Sequence, residues 1–344
     1  MLAIYVSTLE SKYSRSGVFF AADPGEKIFI KFSSEKLKQI QEIFKLRKLY
    51  KPNDACIVLM SPNHLLAPLF RALTNFQIIL DAGWPLSDAT HYVAQRQKQR
   101  RHLLNRIIDK TSFTFANKVI LESKAQVSFI KKEFQIPRSK LFDLFTGFNE
   151  IDFEAAMNNP RMPSECNDEI FLSKQFVFFR GKYNPESGLD LIIEAARLLQ
   201  DETFFVIVSN MTLRNCPQNV IAINRFVPQE ELVWLYANSK LVLGQISDSG
   251  RLDKTLPHKI FEAGFFSKCY VSPSSSALLE FLDKDAFIPV KTISPKDLSQ
   301  SIRAGLSNAS LRFACEKKMN ESYLKRSSQP ALGLRMRELI EIKI

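Results

Sequence analysis

The chain has 344 residues, a formal net charge of +11, and 45% hydrophobic against 24% charged residues. That length suits two domains of about 150 residues each, and the composition supports a buried core, which excludes wholesale disorder. No run of about 18 apolar residues is free of charge, so no membrane-spanning helix is expected.

The chain opens at 1–6 on an apolar strand pattern with no basic segment or cleavage site, so no secretory leader is read there. Further strand patterns follow at 27–32, 55–60, 76–80, 118–121 and 140–145, with helical periodicity between them, notably at 35–48 and 124–134. Alternating βα units predict a doubly wound α/β domain over 1–155. The periodicity lapses between 152 and 168 into turn formers, where a linker is expected. A second set of strands at 175–179, 203–208, 219–223, 241–244, 269–271 and 286–290 predicts a second doubly wound domain over 166–328. A terminal helix at about 329–344 is expected to pack back on the first. Ligands of such sheets bind outside the carboxyl ends of the strands, so a cleft between two facing lobes is the expected active site. Cys56, Cys166, Cys216, Cys269 and Cys315 stand singly with no C-x-x-C pair, which suggests a reducing, cytoplasmic setting.

Two segments carry chemistry. In Phe178-Phe-Arg-Gly-Lys-Tyr-Asn-Pro-Glu-Ser-Gly-Leu-Asp190 a strand ends in a basic, glycine-containing turn before a helix. Gly181 lets backbone approach a phosphate, Arg180 and Lys182 supply positive charge, and a helix opening near Ser187 offers free amides. In Thr255-Leu-Pro-His-Lys-Ile-Phe-Glu-Ala-Gly264, Thr255 is expected to cap and Pro257 to begin a helix. The helix start there, at Leu256, Pro257 and His258 and preceded by Ser247, Ser249 and Gly250, would present its free amides to an anion, and Glu262, one turn on, would accept the hydroxyls of a ribose. Glu262 also reads as an ordinary exposed helix glutamate.

Together with Arg225-Phe-Val-Pro-Gln-Glu-Glu-Leu232 and the passage ending in Thr146-Gly-Phe-Asn149, these segments resemble the family-four-like retaining glycosyltransferases of the GT-B type, the glycosyl transferases group 1. The resemblance implies two Rossmann-like domains and transfer of a sugar, as by a hexosyltransferase, from a nucleotide-diphosphate sugar to a saccharide or lipid-linked acceptor. That chemistry serves glycan or surface polysaccharide synthesis, with no cofactor and no required metal. It places Gly181 and Lys182 at the donor diphosphate with Lys259 beside them, Glu262 on the ribose, and Arg225 and Val227 near the base. The sequence departs from the pattern at Lys182, where Arg is usual, at Ser187, where Lys is usual, and at Lys254, where a first paired Glu would fall; an N-terminal glycine-rich loop is also missing. Arg180, Arg251, Lys254 and Lys259 are all open as the missing second cation.

Acceptor-side groups are expected after the 76–80 strand, where Asp81, Asp88 and His91 would orient an acceptor and Trp84 offer a stacking face. Asp88 and His91 read equally as decoration of the next helix. Asp283 and Asp285 imitate a metal-binding pair but sit in a polar turn, and four His with no spaced Cys and His cluster argue against zinc. Segment 96–110 holds six basic residues around Leu103, Leu104, Ile107 and Ile108. It reads either as a peripheral anchor for an anionic membrane or as a helix packed on its own sheet. A non-catalytic nucleotide-sugar-binding homologue and a nucleic-acid binder are the rival functions; the latter lacks any recognisable module, and its 28 Phe look like core filling.

Overall fold

The computed structural model describes residues 1–9, 15–91, 96–166, 171 and 174–342, and of residues 16, 89–91 and 96–100 only the backbone. The chain folds as two compact units, Met1–Gly147 with Gln329–Ile344, and Phe148–Ser328. The boundary falls ahead of the 152–168 segment read as a linker.

The first unit is built on strands β1 (Leu2–Ser7), β2 (Lys27–Lys31), β3 (Ala55–Leu59), β4 (Gln77–Gly83), β5 (Lys118–Leu121) and β6 (Leu141–Asp143). Its helices are α1 (Arg15–Ala22), α2 (Lys36–Leu49), α3 (Leu66–Leu73), α4 (Leu86–His91), α5 (Arg96–Phe115) and α6 (Lys124–Phe134). The six strands are parallel in the order β2-β1-β3-β4-β5-β6. Such a sheet is covered on both faces, which is why its central strands are apolar without alternation. Ile4, Val6, Ile57, Leu59, Ile78 and Leu80 fill one face, and Ala3, Tyr5, Cys56, Val58, Ile79 and Ile120 the other.

The second unit opens with α7 (Glu150–Met157), which lies inside the 1–155 span assigned from sequence to the first domain. Its strands are β7 (Phe176–Arg180), β8 (Phe204–Val208), β9 (Val220–Ile223), β10 (Leu241–Leu243), β11 (Tyr270–Pro273) and β12 (Ile288–Val290). Between and after them run α8 (Leu189–Leu198), α9 (Gln229–Asn238), α10 (Lys259–Phe265), α11 (Ser276–Phe281), α12 (Pro295–Ser307) and α13 (Ala309–Arg326). The sheet order is β12-β11-β10-β7-β8-β9, all parallel. That is the dinucleotide-fold order, whose direction reverses between β7 and β10.

The last helix, α14 (Gln329–Glu341), returns to the first unit. Leu332, Met336, Leu339 and Ile340 join the core of Tyr5 and Val58, and Arg337 pairs with the buried Asp23 at 2.6 Å. Lys118 of β5 secures the far end: its fully buried side chain donates to the carbonyls of Leu339 and Ile342, satisfying groups a helix end leaves free. Among the described residues no helix is long and apolar enough to cross a membrane. Lys118→Ala would orphan those carbonyls, and a loss of about 2–3 kcal/mol in the first unit is expected, read as a lower unfolding midpoint by calorimetry. An unchanged midpoint would show that α14 is held by its apolar face alone.

Candidate functional site

In the second unit the strand order reverses between β7 and β10, and the carboxyl ends of those strands carry Arg180-Gly181-Lys182 and Gly244-Gln245. Both segments singled out from sequence arrive at this point. After β7 the chain turns through Asn184 to Gly188, whose φ of +66° and close approach to the Ile246 carbonyl suit glycine; a Cβ would stand 2.2 Å from that oxygen. The helix starts at Leu189, two residues later than expected, and Ser187 is buried with its hydroxyl donating to the Asn184 carbonyl at 2.6 Å.

Two ion pairs fasten the β7 turn to the segment before and within α10. Arg180 donates to Glu262 at 2.6 Å, and Arg251 forks onto both oxygens of Glu186 at 2.5 to 3.1 Å. The second Glu262 oxygen accepts from the Tyr236 hydroxyl of α9. Glu262 is 6% exposed, so it is a buried group at the junction of β7, α9 and α10, not an ordinary surface glutamate. Each carboxylate oxygen has two acceptor directions, so each can accept a further bond beside the one it makes. Beside Glu262, Arg180 is held charged beyond its ordinary range, while burial raises Tyr236 so that it remains a hydroxyl donor.

Lys259 opens α10. Its side chain is buried, its Nζ has no hydrogen-bond partner and lies 3.7 Å from the centre of the Phe179 ring, and burial lowers its pKa to about 7. Nearby, Leu256, Pro257, Gln245, Ser247, Tyr270 and Ser272 line a small depression at the ends of β10 and β11. The Oε1 of Gln245 is buried there without a partner. Lys182 and His258 are exposed. Thr255 does not cap the helix: its hydroxyl donates to the Arg251 carbonyl at 3.1 Å, and the N-cap position falls to His258, which makes no side-chain cap bond.

Arg225 lies on the loop after the edge strand β9. It forks onto Glu165 at 2.8 Å and reaches Glu231 at 2.7 Å, and its guanidinium holds the Glu165 carboxyl at about 2. Its charge is thus spent within the fold, and the adjacent Val227 is buried. Asp285 pairs with Lys318, and among the described residues no three His, Cys, Asp or Glu side chains group as metal ligands.

In the first unit, Asp81 lies within β4 instead of beyond it, fully buried and paired with Arg15 at 2.8 Å. Arg15 also donates to Thr146 at 2.7 Å and to the Leu144 carbonyl at 2.6 Å, so Asp81 anchors a network under the ends of the strands and is not presented to an acceptor. Asp88 stands in the first turn of α4 and Trp84 just before it; the His91 side chain lies outside the described residues. Sequence reasoning missed Arg15, and also Asn63, which accepts from the Thr8 hydroxyl at 2.7 Å and donates to Ser7 Oγ at 3.2 Å where β1 and β3 end. Only the chain reversal after β3 brings those residues together.

No protein-family model and no curated protein sequence matches the chain. Solved structures do match it in fold. HepE of Anabaena in complex with UDP-glucose superposes with a TM-score of 0.71 at 11% identity, over 98% of this chain and 99% of that one. Sucrose-phosphate synthase of Thermosynechococcus elongatus gives 0.71 at 12% identity, over 98% of each chain. A UDP-forming α,α-trehalose-phosphate synthase of Burkholderia vietnamiensis gives 0.69 at 10%, over 98% and 96%. The fold is therefore GT-B, two Rossmann-like parallel sheets, as the sequence patterns led us to expect.

Glu262→Ala would leave a half-buried guanidinium and a buried hydroxyl without their acceptor. The expected cost to the second unit is about 3 kcal/mol by thermal or denaturant unfolding, with Glu262→Gln milder. Equal, small losses for both would mean that the carboxylate is solvated after all.

Proposed function

We propose that the chain is a glycosyltransferase that moves a sugar from a nucleotide-diphosphate donor held by its second unit to a saccharide or lipid-linked acceptor. The observation that carries this reading is the convergence of the β7 turn and the α10 segment at the strand-order reversal, joined by the Arg180–Glu262 and Arg251–Glu186 pairs. Such a reversal is where α/β sheets bind nucleotides. The GT-B neighbours include a protein crystallised with UDP-glucose and a UDP-forming synthase, which supports a nucleotide sugar as donor.

In this reading the diphosphate lies over Gly181, where no side chain blocks the backbone, and the ribose hydroxyls bond the free acceptor directions of Glu262. Lys182 and Lys259 supply the positive charge that lets the nucleoside diphosphate depart as the acceptor hydroxyl attacks, while Arg180 holds Glu262 in place. Leu256, Pro257 and Ser187 shape the site, and His258 contributes backbone only. We assign acceptor binding to the first unit, near the ends of β1 and β3. The family resemblance supports retention at the sugar carbon and a role in polysaccharide synthesis, and the single cysteines support a cytoplasmic setting.

A thermal-shift panel of nucleoside diphosphates and nucleotide sugars tests the donor site. A ligand at 100 times its Kd should stabilise the folded protein by about 2.7 kcal/mol, and Glu262→Gln should lose most of that gain. If a diphosphate binds but neither sugar transfer nor slow donor hydrolysis is ever detected, the chain is a binding homologue and the enzyme reading is abandoned.

We also propose that α5 holds the first unit against an anionic membrane. The helix docks through buried Asp109, Ser112 and Phe113, with Asp109 accepting from the amides of Leu86 and Ser87, whereas Leu103, Leu104 and Ile107 are 61%, 56% and 56% exposed. Exposed Arg101 and Lys110 flank them, and the sequence adds Arg96, Lys98 and Arg100. Aliphatic side chains ringed by basic ones suit a headgroup boundary better than nucleic acid, at about 1 kcal/mol per basic residue. The protein should float with phosphatidylglycerol vesicles and not with neutral ones, and a triple change of Leu103, Leu104 and Ile107 to Ser should abolish flotation without lowering the unfolding midpoint. Flotation that ignores lipid charge, or tight binding to nucleic acid instead, would refute the membrane assignment.

A further inference from the structure

The family pattern asks for two cations at the donor diphosphate, and here one of the two positions is Ser187. Its hydroxyl is turned into its own loop, so it cannot substitute. Among the four candidates for the missing charge, Arg180 is paired with Glu262, Arg251 is forked onto Glu186, and Lys254 is engaged as well. Lys259 is different: its Nζ is buried and unpartnered.

The position of that amine is specific. A Cβ built on Gly181 would come within 3.0 Å of Lys259 Nζ and 3.1 Å of the Phe179 ring, so the amine lies against the backbone of the β7 turn with that ring beside it. The charged groups around it are Arg180 from β7 and Glu262 from its own helix, with Tyr236 of α9 and Tyr270 of β11 beyond Glu262. Glu262 favours a charged amine, but burial and Arg180 oppose it, and burial weighs most. Lys259 therefore sits at about 7 in the free protein, against an ordinary lysine value of about 10.4.

We propose that Lys259 is this chain's second diphosphate cation and that it acquires its proton as the nucleoside diphosphate arrives, so that donor binding and proton uptake are one event. The inference rests on the donor-site reading above. An anion placed beside a buried amine returns the electrostatic support that burial removed, so the pKa in the complex rises above that of the free site. The sign of the linkage follows. Well below pH 7 the amine is already charged and adds no slope; above it, binding must draw a proton from solvent and affinity falls by up to about tenfold per pH unit until the pKa of the complex is reached. A terminal phosphate with a pKa of about 6 is fully ionised throughout that range, so the ligand adds no proton of its own. Once the diphosphate has left, the amine returns its proton to solvent.

The test is titration calorimetry of uridine, adenosine and guanosine diphosphate at pH 8.0 in phosphate and in Tris, whose ionisation heats differ, with affinities at pH 7.5 and 8.5. The expected result is uptake approaching one proton and an affinity several-fold lower at the higher pH. Lys259→Arg, charged throughout, should bind with neither uptake nor slope, and Gly181→Ala, which covers the amine, should weaken binding sharply. Binding without proton uptake, or an unchanged slope in Lys259→Arg, would overturn the role of Lys259 while leaving the donor site in place. No binding of any of the three diphosphates at either pH would refute the donor-site reading, and this proposal with it.

Discussion

A carboxylate removed from water must be answered by donors, and Glu262 is answered by groups from two other elements. Arg180 ends β7 and Tyr236 belongs to α9, so satisfying one buried group fixes the end of a strand and two helices relative to each other. Breaking such a pair costs several kcal/mol because the survivor remains buried. The second fastening, between Glu186 and Arg251, holds the loop ahead of α10 against the same turn. The polar groups of the site are thus aimed by the fold itself, before any donor arrives.

What remains unsatisfied in this framework is as informative as what is paired. Lys259 Nζ and Gln245 Oε1 are buried without partners, both at the carboxyl end of the second sheet. Buried polar atoms are costly to leave unpaired, so two of them close to a strand-order reversal mark where a polar ligand belongs. In the first unit Arg15 meets Asp81, Thr146 and two carbonyls, a network that braces strand ends.

All twelve strands were legible in the sequence to within a few residues, because parallel strands buried on both faces must be short apolar runs and little else resembles them. The β7 turn and the α10 segment were legible for a different reason: glycine and charge at a strand end are conspicuous. Helix starts were read less well. Thr255 has capping chemistry but spends its hydroxyl on the Arg251 carbonyl, and Ser187 bonds within its own turn. Asp81 was placed on an acceptor because it follows an apolar run; the pattern gives no sign that Arg15, 66 residues earlier, would claim it. For Arg225, too, the pattern gives no sign of its pairing with Glu165, 60 residues earlier. The state of Lys259 was hidden too: a lysine one turn before a glutamate suggests a simple pair, whereas Glu262 is already taken up by Arg180 and Tyr236.

The central claim is that the β7 turn and the α10 segment hold one diphosphate-bearing ligand. Hydrogen–deuterium exchange with and without saturating nucleoside diphosphate tests it most directly. The account predicts slowed exchange at 181–188 and 244–262, with 225–228 and the Arg15 network little changed. Protection confined to the first unit, or to neither of those two segments, would contradict it.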